Sequence, residues 1–469
     1  MTQAKINDNY YHIISDLHQY NFQSYLLNNL IISFDVYYKY VSAHDLQLFC
    51  VVLRHHLSMQ FLNPKFFLSL VVTGIIAGCV GIFLTFTMHT LQHITFGVPL
   101  HTEILFRLIV EQASDSRRFF ALSFCGVLVG VGWYLIHRYG KPLVDIKVAV
   151  NNQTQNLPFF TTITHAFLQI ITVAMGSPLG REVAPREMSA AFATQIVKFL
   201  HLDSQQRRIL LACASGAGLA AVYNVPVAAI VFILETLLLS WNIEFIISAL
   251  ICCTTAVFVA RLGLGDLIQY PLGPLEYSTY LIYFALSIGP ILAFGVFLFE
   301  KNMKTLPSIP RNKPVIIIIA VFAFALIGLL SIAYPEILGN GKAANQLTFM
   351  IGLTTQYAIG LFVFKWFALI LATISGAYGG RITPSMMLGG LMAFIMATLW
   401  NVYFINVPLT SAAIIGATVF LGLAFSMPLT AIIFLLELTR FNPSFLYPIC
   451  LCFMTGLPSL KLLQNLQHK

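Results

Sequence analysis

The chain of 469 residues is too apolar to fold as a soluble protein. Hydrophobic residues make up 58% of it and charged residues 9%, and the mean hydropathy is +0.82. Since a soluble domain carries about 25% charged residues, lipid must be the solvent for much of this surface. The net charge of +8 does not indicate nucleic-acid binding, because the basic residues stand in short loops beside apolar segments, as they do in membrane proteins.

Residues 1–62 differ from the rest of the chain. They are rich in Tyr, Asn, His and Asp, and they lack the basic segment followed by an apolar one that is typical of a cleaved signal peptide. We interpret them as an N-terminal cytoplasmic extension that is amphipathic in part, over Leu46–Phe61. The alternative interpretation is that translation begins at Met59 and that residues 1–58 are not translated.

Residues 63–463 are predicted to form one transmembrane domain. Uncharged runs of about 20 residues can cross a bilayer as helices, and shorter, glycine-interrupted runs accompany them. A short polar tail over 464–469 is predicted to be cytoplasmic, as is the loop Lys301–Lys313, because Lys and Arg are enriched on that side of membrane proteins. The long runs are Phe66–Thr87, Phe119–Ile136 and Val315–Tyr334, and the shorter ones are Trp366–Gly380 and Leu409–Phe425.

Three further apolar segments are too short to span a bilayer or are broken by glycine and proline. They are Ile146–Val150, Ala343–Gly352 and Met427–Leu438. Broken helices are tolerated in lipid only where their backbone is buried in protein or lines a polar cavity. These segments therefore predict a site inside the membrane.

The chain contains an internal repeat. Ala221–Glu235 reads AVYNVPVAAIVFILE and Leu423–Glu437 reads LAFSMPLTAIIFLLE, with proline, phenylalanine and glutamate in register. Gly180–Pro185 and Gly379–Pro384 form a second pair at nearly the same spacing. Duplicated halves, often inverted in the membrane, are typical of transporters and place the substrate site where they meet; the alternative is a chance likeness of apolar helices. The predicted repeats are roughly 66–262 and 276–463.

The segment Met175–Pro185, which reads MGSPLGREVAP, predicts a helix start inside the membrane. Glycines and Pro178 end one helix, and a second begins near Glu182. The first turn of a helix has unpaired N–H groups and a positive dipole end, so it binds anions, and Gly180 lets the backbone approach an ion closely. With its copy at Gly379–Pro384, this start would form a desolvated anion site that needs no full positive charge.

Glu182 is the candidate gate of that site. A carboxylate at the positive helix end is a tethered anion that leaves when it is protonated, and an ionisable group inside the membrane is a functional candidate; the alternative is a first-turn glutamate that the dipole merely favours. Arg181 is predicted to pair with a carboxylate or to cap carbonyls, and Arg186 could face Glu182. Glu187 is predicted to pair with a basic residue, and His165 to be a satisfied core residue.

These residues resemble the motifs of the CLC family of chloride channels and proton-coupled anion antiporters. Gly180–Glu182 matches the start of the GREGP motif, with Val183 in place of the next glycine and the proline at Pro185. Gly379–Pro384 loosely matches GxFxP, with Ile382 in the phenylalanine position. The resemblance covers roughly residues 66–463 and extends to Gly216–Glu235, Gly422–Leu438 and a degenerate GSGIP motif at Gly140–Asp145.

The resemblance implies an all-α polytopic membrane protein of CLC-like inverted-repeat architecture, with broken and re-entrant helices, that forms a homodimer with one anion path per subunit. It implies transport of small inorganic anions, chloride first, with protons as a coupled substrate in exchangers. Glu182 would be the external gating glutamate. We expect a bacterial inner membrane, and no cofactor, catalytic residue or metal ligand. The anion site would lie at Gly180, Arg181, Val183, Arg381 and Ile382.

Two departures from the family pattern leave the mechanism open. Lys141 stands where GSGIP has its anion-contacting serine, and it would either bind the anion or anchor the loop in the cytoplasm beside Arg138. Thr236 stands at the position where many antiporters of the family have the glutamate that relays protons from the inside. A channel gated by Glu182 needs no such relay and an exchanger does, so both stay open, as does the family's fluoride-handling branch.

Two other classes of membrane protein fit the sequence less well. A secondary transporter for a larger organic anion predicts a roomy cavity with more polar groups than this chain offers. A membrane-embedded enzyme requires a catalytic constellation such as HExxH, serine with histidine or paired aspartates within the apolar region, and none is found in the sequence.

Overall fold

The computed structural model describes residues 63–467, except 100–104, 267, 271, 273–274, 308 and 351–352. The predictions for residues 1–62 therefore lie outside the described residues. Over the described residues the fold is helical throughout, and the one β-type pairing is an isolated bridge between Gly180 and Gly380.

The helices fall into two series. The first series is α1 Pro64–Phe96, α2 Phe106–Gln112, α3 Asp115–Tyr139, α4 Ile146–Asn151, α5 Phe159–Ala174, α6 Val183–Leu200, α7 Ser204–Tyr223, α8 Pro226–Phe232 and α9 Ile243–Leu264. The second series is α10 Tyr280–Thr305, α11 Val315–Ala333, α12 Lys342–Thr348, α13 Thr355–Ile374, α14 Ile382–Tyr403, α15 Leu409–Phe425, α16 Pro428–Thr439 and α17 Leu446–Gln467. A π-helical turn over Ile233–Leu238 extends α8, and 3₁₀ turns lie at Pro335–Ile337 and Pro443–Phe445.

Within the described residues, 8 helical segments are long and apolar enough to cross a membrane. Large apolar side chains cover their outer faces: Phe120 is 67% exposed and Phe322 is 72% exposed. Exposing so much apolar surface to water is unfavourable, so this surface faces lipid and the protein is an integral membrane protein. The predicted long spans are confirmed, because two fall within α1 and α3 and the third matches α11 but for Tyr334, which caps that helix.

The predicted run Trp366–Gly380 was wrong in its bounds, because α13 begins at Thr355 and ends at Ile374. Lys365 interrupts the uncharged run but not the helix. Its fully buried ammonium group donates to the carbonyls of Ile337 and Gly339, both at 2.8 Å. A lysine bonded in this way remains inside the protein without breaking the span.

The two series pack in the same pattern. In the first series α1 packs on α9, and in the second α10 packs on α17, while α3 packs on α11 between the series. Pro226 and Pro428 both stand at the first position of a short helix, where the missing N–H of proline has no cost. Each of these helices follows a left-handed residue, Asn224 or Ser426, that ends the helix before it.

The two short proline-started helices exchange acidic caps. The Glu235 carboxylate, at the end of the first-series segment, accepts from the backbone N–H of Thr430 at 2.8 Å. The Glu437 carboxylate accepts from the backbone N–H of Ala228 at 2.8 Å. Carboxylates stabilise helix starts because they satisfy unpaired N–H groups. This reciprocal pairing relates the two halves by a pseudo-two-fold arrangement.

Candidate functional site

The starts of α6 and α14 lie side by side in the protein interior. Gly180 and Gly380, which precede the two helices, hydrogen-bond reciprocally through their backbones, with N–O distances of 2.6 and 2.8 Å. A side chain at either glycine would collide with the Glu182 carboxylate. The two glycines therefore let two backbones and one carboxylate share this space.

The Glu182 side chain joins the two helix starts. Glu182 is the N-terminal cap of α6 and is completely buried. Its Oε1 atom accepts from the backbone N–H of Ile382, the first residue of α14, at 2.6 Å. Its Oε2 atom lies 3.5 Å from the Tyr223 hydroxyl. The carboxylate thus occupies the kind of position, at a buried helix start, that attracts an anion.

A cavity of about 260 Å³ adjoins Glu182 on one side. We call it the Arg186 cavity. Asp145 and Lys147 at one end of it are exposed, so it opens to the surface there. Val183, Arg381 and Ile382 also line it, which brings these predicted site residues together around Glu182. The polar and charged lining residues are Asp145, Lys147, Glu182, Arg186, Glu187, Thr236 and Arg381.

Arg186 adds a positive charge to this cavity. Its Nε atom donates to the Ser215 hydroxyl at 3.2 Å, and its guanidinium lies 4.6 Å from the centre of the Phe232 ring. Within the described part of the chain, Arg186 has no carboxylate within salt-bridge distance. The sequence suggested that Arg186 could face Glu182; in the structure both line one cavity, so a full positive charge lies beside the helix starts.

Arg181 points to a different cavity, of about 160 Å³, which we call the Arg181 cavity. Its guanidinium donates to the Val222 carbonyl at 3.5 Å and to the Gln269 side chain at 3.3 Å, and lies 4.9 Å from the Tyr223 ring centre. Carbonyl capping, one of the two predicted roles of Arg181, is present. Lys342 lines this second cavity too, and Glu182 does not.

The structure does not bring Lys141 to the site. Lys141 is exposed, its backbone N–H donates to the Thr161 hydroxyl at 3.2 Å, and it does not line the Arg186 cavity, whereas Lys147 does. This placement fits the alternative in which Lys141 anchors a loop. Thr236 does line the cavity, and its hydroxyl donates to the Phe232 carbonyl at 2.6 Å.

Sequence reasoning missed one residue of the site, Tyr223. Its hydroxyl approaches Glu182, and its ring packs against Phe434 and under Arg181. A signal was present in the repeat, because the position that holds Tyr223 in the first copy holds Phe425 in the second. The hydroxyl is therefore present in the first copy of the repeat alone, which is the copy that carries Glu182.

Comparisons with known proteins identify the family. The family model described as "Voltage gated chloride channel" matches residues 125–457. The H(+)/Cl(-) exchange transporter ClcA of Vibrio cholerae serotype O1 is 26% identical over 392 residues, which cover 80% of this chain and 81% of that protein. ClcA of Klebsiella pneumoniae subsp. pneumoniae is 25% identical over 391 residues, covering 78% and 80%.

Solved structures share the fold. A slow cyanobacterial Cl-/H+ antiporter superposes with a TM-score of 0.70 at 18% identity, covering 86% of this chain and 95% of its own. A CLC-type fluoride/proton antiporter superposes with a TM-score of 0.61 at 18% identity, covering 86% and 98%. The predicted all-α, inverted-repeat architecture is thereby confirmed. The chain belongs to the voltage-gated chloride channel family, the CLC family, and is an anion transport protein of the membrane rather than an enzyme.

Proposed function

We propose that this protein exchanges chloride for protons, and that the Glu182 carboxylate and chloride compete for one site between the starts of α6 and α14. The observation that carries the proposal is the 2.6 Å bond from the Ile382 N–H to the buried Glu182 carboxylate. The choice of substrates is supported by the relatives, which are named H(+)/Cl(-) exchange transporters.

Protonation of Glu182 is the step that opens the site. The ionised carboxylate binds strongly to the Ile382 N–H and to the positive helix ends. A protonated carboxyl loses its charge and with it most of this attraction, so the side chain leaves and chloride enters. The backbone at Gly180, Arg181 and Val183 and at Arg381 and Ile382 then holds the chloride, as the family pattern implies. When chloride leaves, Glu182 loses its proton and returns.

Arg186 concentrates chloride in the cavity next to the site. Its guanidinium is partly exposed to the cavity and has a hydroxyl and an aromatic ring as neighbours, so it is available to a mobile anion. Lys147 and Arg381 add two more positive charges to the same cavity, which Asp145, Glu182 and Glu187 offset when all three are ionised. The anion site predicted from the sequence consisted of the backbone groups of two helix starts and needed no full positive charge. Arg186 adds such a charge beside it.

The enrichment of Lys and Arg on the cytoplasmic side orients the protein. Lys147 lies at the mouth of the Arg186 cavity, and Arg138 and Lys141 precede it closely in the chain. This cavity therefore faces the cytoplasm, and the Arg181 cavity faces outward. We further propose, from the family resemblance, that the protein is a homodimer with one path in each subunit. The relatives are bacterial, which supports a bacterial inner membrane.

Purified protein in liposomes tests the proposal. With a chloride gradient imposed, the unsubstituted protein should move chloride and drive protons in the opposite direction, measured together with a chloride electrode and a pH dye. Glu182→Gln should keep moving chloride but stop moving protons, because the amide cannot carry one. The same vesicles loaded with fluoride test the alternative substrate, and fluoride moving faster than chloride would contradict our choice.

Glu336→Gln is the matched control. Glu336 is also buried, accepts from the Tyr357 hydroxyl at 2.6 Å and lines neither cavity. We expect this variant to keep the coupling of the unsubstituted protein. Proton movement that persists unchanged in Glu182→Gln would refute the assignment of the gate.

A further inference from the structure

We infer that Glu187 is the carboxyl that receives protons from the Arg186 cavity and passes them to Glu182. The inference rests on the proposed function and assigns a residue to its proton path. Glu187 follows Glu182 by five positions on α6, which places it about 7.5 Å further along the helix axis. Both residues line the Arg186 cavity, and the Glu187 side chain is 16% exposed to it.

The partners of Glu187 are neutral hydrogen-bond donors. The Gln169 side-chain amide donates to Oε2 at 2.8 Å, and the His165 Nε2 atom lies 3.5 Å from the same oxygen. The sequence predicted a basic partner, and His165 is the basic residue beside Glu187; no Lys or Arg lies within salt-bridge distance of Glu187 in the described part of the chain. A carboxylate fixed by a lysine or arginine stays ionised, whereas one held by neutral donors can gain and lose a proton.

Trp133 determines which atom of the pair takes an added proton. Its indole N–H, which can only donate, points to the His165 Nδ1 atom at 3.0 Å. Nδ1 is therefore the acceptor nitrogen, and the neutral imidazole carries its proton on Nε2, facing Glu187. A second proton on His165 would break the indole bond inside the protein, where His165 is 2% exposed. The added proton therefore binds Glu187.

Other charged groups surround the pair without bonding to it. Asp145 and Lys147 at the start of α4 and Arg381 at the start of α14 line the same cavity, and Arg186 precedes Glu187 on α6. Behind His165 lies the Tyr378 ring, with ring centres 4.6 Å apart. Tyr378 in turn contacts His137 and Arg311.

The proton steps balance with these two carboxyls alone. A proton from water at the exposed end of the cavity binds the Glu187 carboxylate. Glu187 then gives that proton to water in the cavity, which hands it on to the Glu182 carboxylate across the roughly 7.5 Å between the two residues; Glu187 is ionised again, and no other protein group changes its charge. His165 and Gln169 hold Glu187 in place throughout, and are positioning residues. Thr236, which lines the same cavity, has no proton that it can lose at neutral pH.

The test compares Glu187→Gln and Glu187→Asp with the unsubstituted protein in liposomes, with the ratio of protons to chloride as the readout. Removing a positioned proton carrier should lower proton movement by about 100-fold, so chloride movement in Glu187→Gln should be almost uncoupled. Glu187→Asp, which retains a carboxyl, should restore the coupling. A proton-to-chloride ratio in Glu187→Gln equal to that of the unsubstituted protein overturns the inference.

Trp133→Phe provides an independent test if Glu187→Gln does not fold. Without the indole donor, His165 can accept the proton itself, so the pH at which proton movement is half-maximal should shift; an unchanged pH profile overturns the inference. If the unsubstituted protein moves no protons with chloride, the proposed function fails as well. If Glu182→Gln abolishes coupling and Glu187→Gln does not, only the role of Glu187 is wrong.

Discussion

The Glu182 carboxylate lies close to a balance between two opposing free energies. Burying a carboxylate costs several kcal/mol, and Glu182 is fully buried. A hydrogen bond to a charged group returns about 1.5–3 kcal/mol, and a helix start contributes up to about 2 kcal/mol in a partly buried geometry. Protonation removes the burial cost together with the charge-dependent attraction, and leaves the carboxyl held to Ile382 by a neutral hydrogen bond that chloride can displace.

The pH dependence of transport follows from this balance. At high pH Glu182 is ionised and occupies the site, so chloride passes slowly. As the pH falls the carboxyl is protonated, the site opens and chloride movement rises. Chloride movement depends on pH in this way because the Glu182 carboxylate blocks the site when it is ionised. A variant that displaces the carboxylate should therefore lose the pH dependence of chloride movement.

Gly380→Ala is such a variant. Its added Cβ atom would collide with the Glu182 carboxylate, so the carboxylate should leave the site even when it is ionised. Because chloride competes for the same space, the Cβ atom should hinder chloride too, so we expect chloride efflux from liposomes to fall at every pH and its pH dependence to flatten. Gly390→Ala, on the helix α14 that Gly380 precedes, is the matched control, because its Cβ would meet the Ala413 carbonyl at an ordinary 3.4 Å. A pH profile of Gly380→Ala identical to that of the control would contradict the collision.

At the scale of elements, helices could be predicted from the sequence where nearby residues set their ends. They could not be predicted where their ends depend on contacts with residues distant in the chain. The short helices α12 and α16 could be predicted because Gly341 precedes one and Pro428 begins the other, whereas α4 lies between the caps Asp145 and Asn152. The start of α13 could not, because Lys365 remains buried only through carbonyls of residues 337 and 339, which the tertiary fold brings to it. The repeat in sequence likewise did not reveal that Glu235 and Glu437 cap each other's segments.

The reciprocal caps should stabilise the protein. Replacing Glu437 by Gln removes the charge from two hydrogen bonds to the N–H groups of Val227 and Ala228, and should lower the free energy of unfolding by about 1–2 kcal/mol. Thermal unfolding in detergent measures the change. Glu300→Gln, which breaks an exposed pair with Lys304, is the control and should cost about 0–1 kcal/mol. Equal melting temperatures for the two variants would count against a capping role.

At the scale of the whole molecule, the site exists because two distant segments meet. Both helix starts and Glu182 could be predicted from the sequence, because glycine, proline and an acidic residue within an apolar region are recognised from a short stretch of chain. The sequence did not reveal that Gly180 and Gly380 pair, that Glu182 bonds to Ile382 or that Tyr223 approaches it. It also left Lys141 as a candidate for the path, which the fold places at the surface.

The most direct measurement is a crystal structure of Glu182→Gln grown with bromide, in which anomalous scattering locates the anion. We predict bromide between the starts of α6 and α14, within hydrogen-bonding distance of the Ile382 N–H that Glu182 occupies in the unsubstituted protein. Bromide found elsewhere along the path, with that N–H group still bonded to the side chain at position 182, would contradict the competition between carboxylate and chloride.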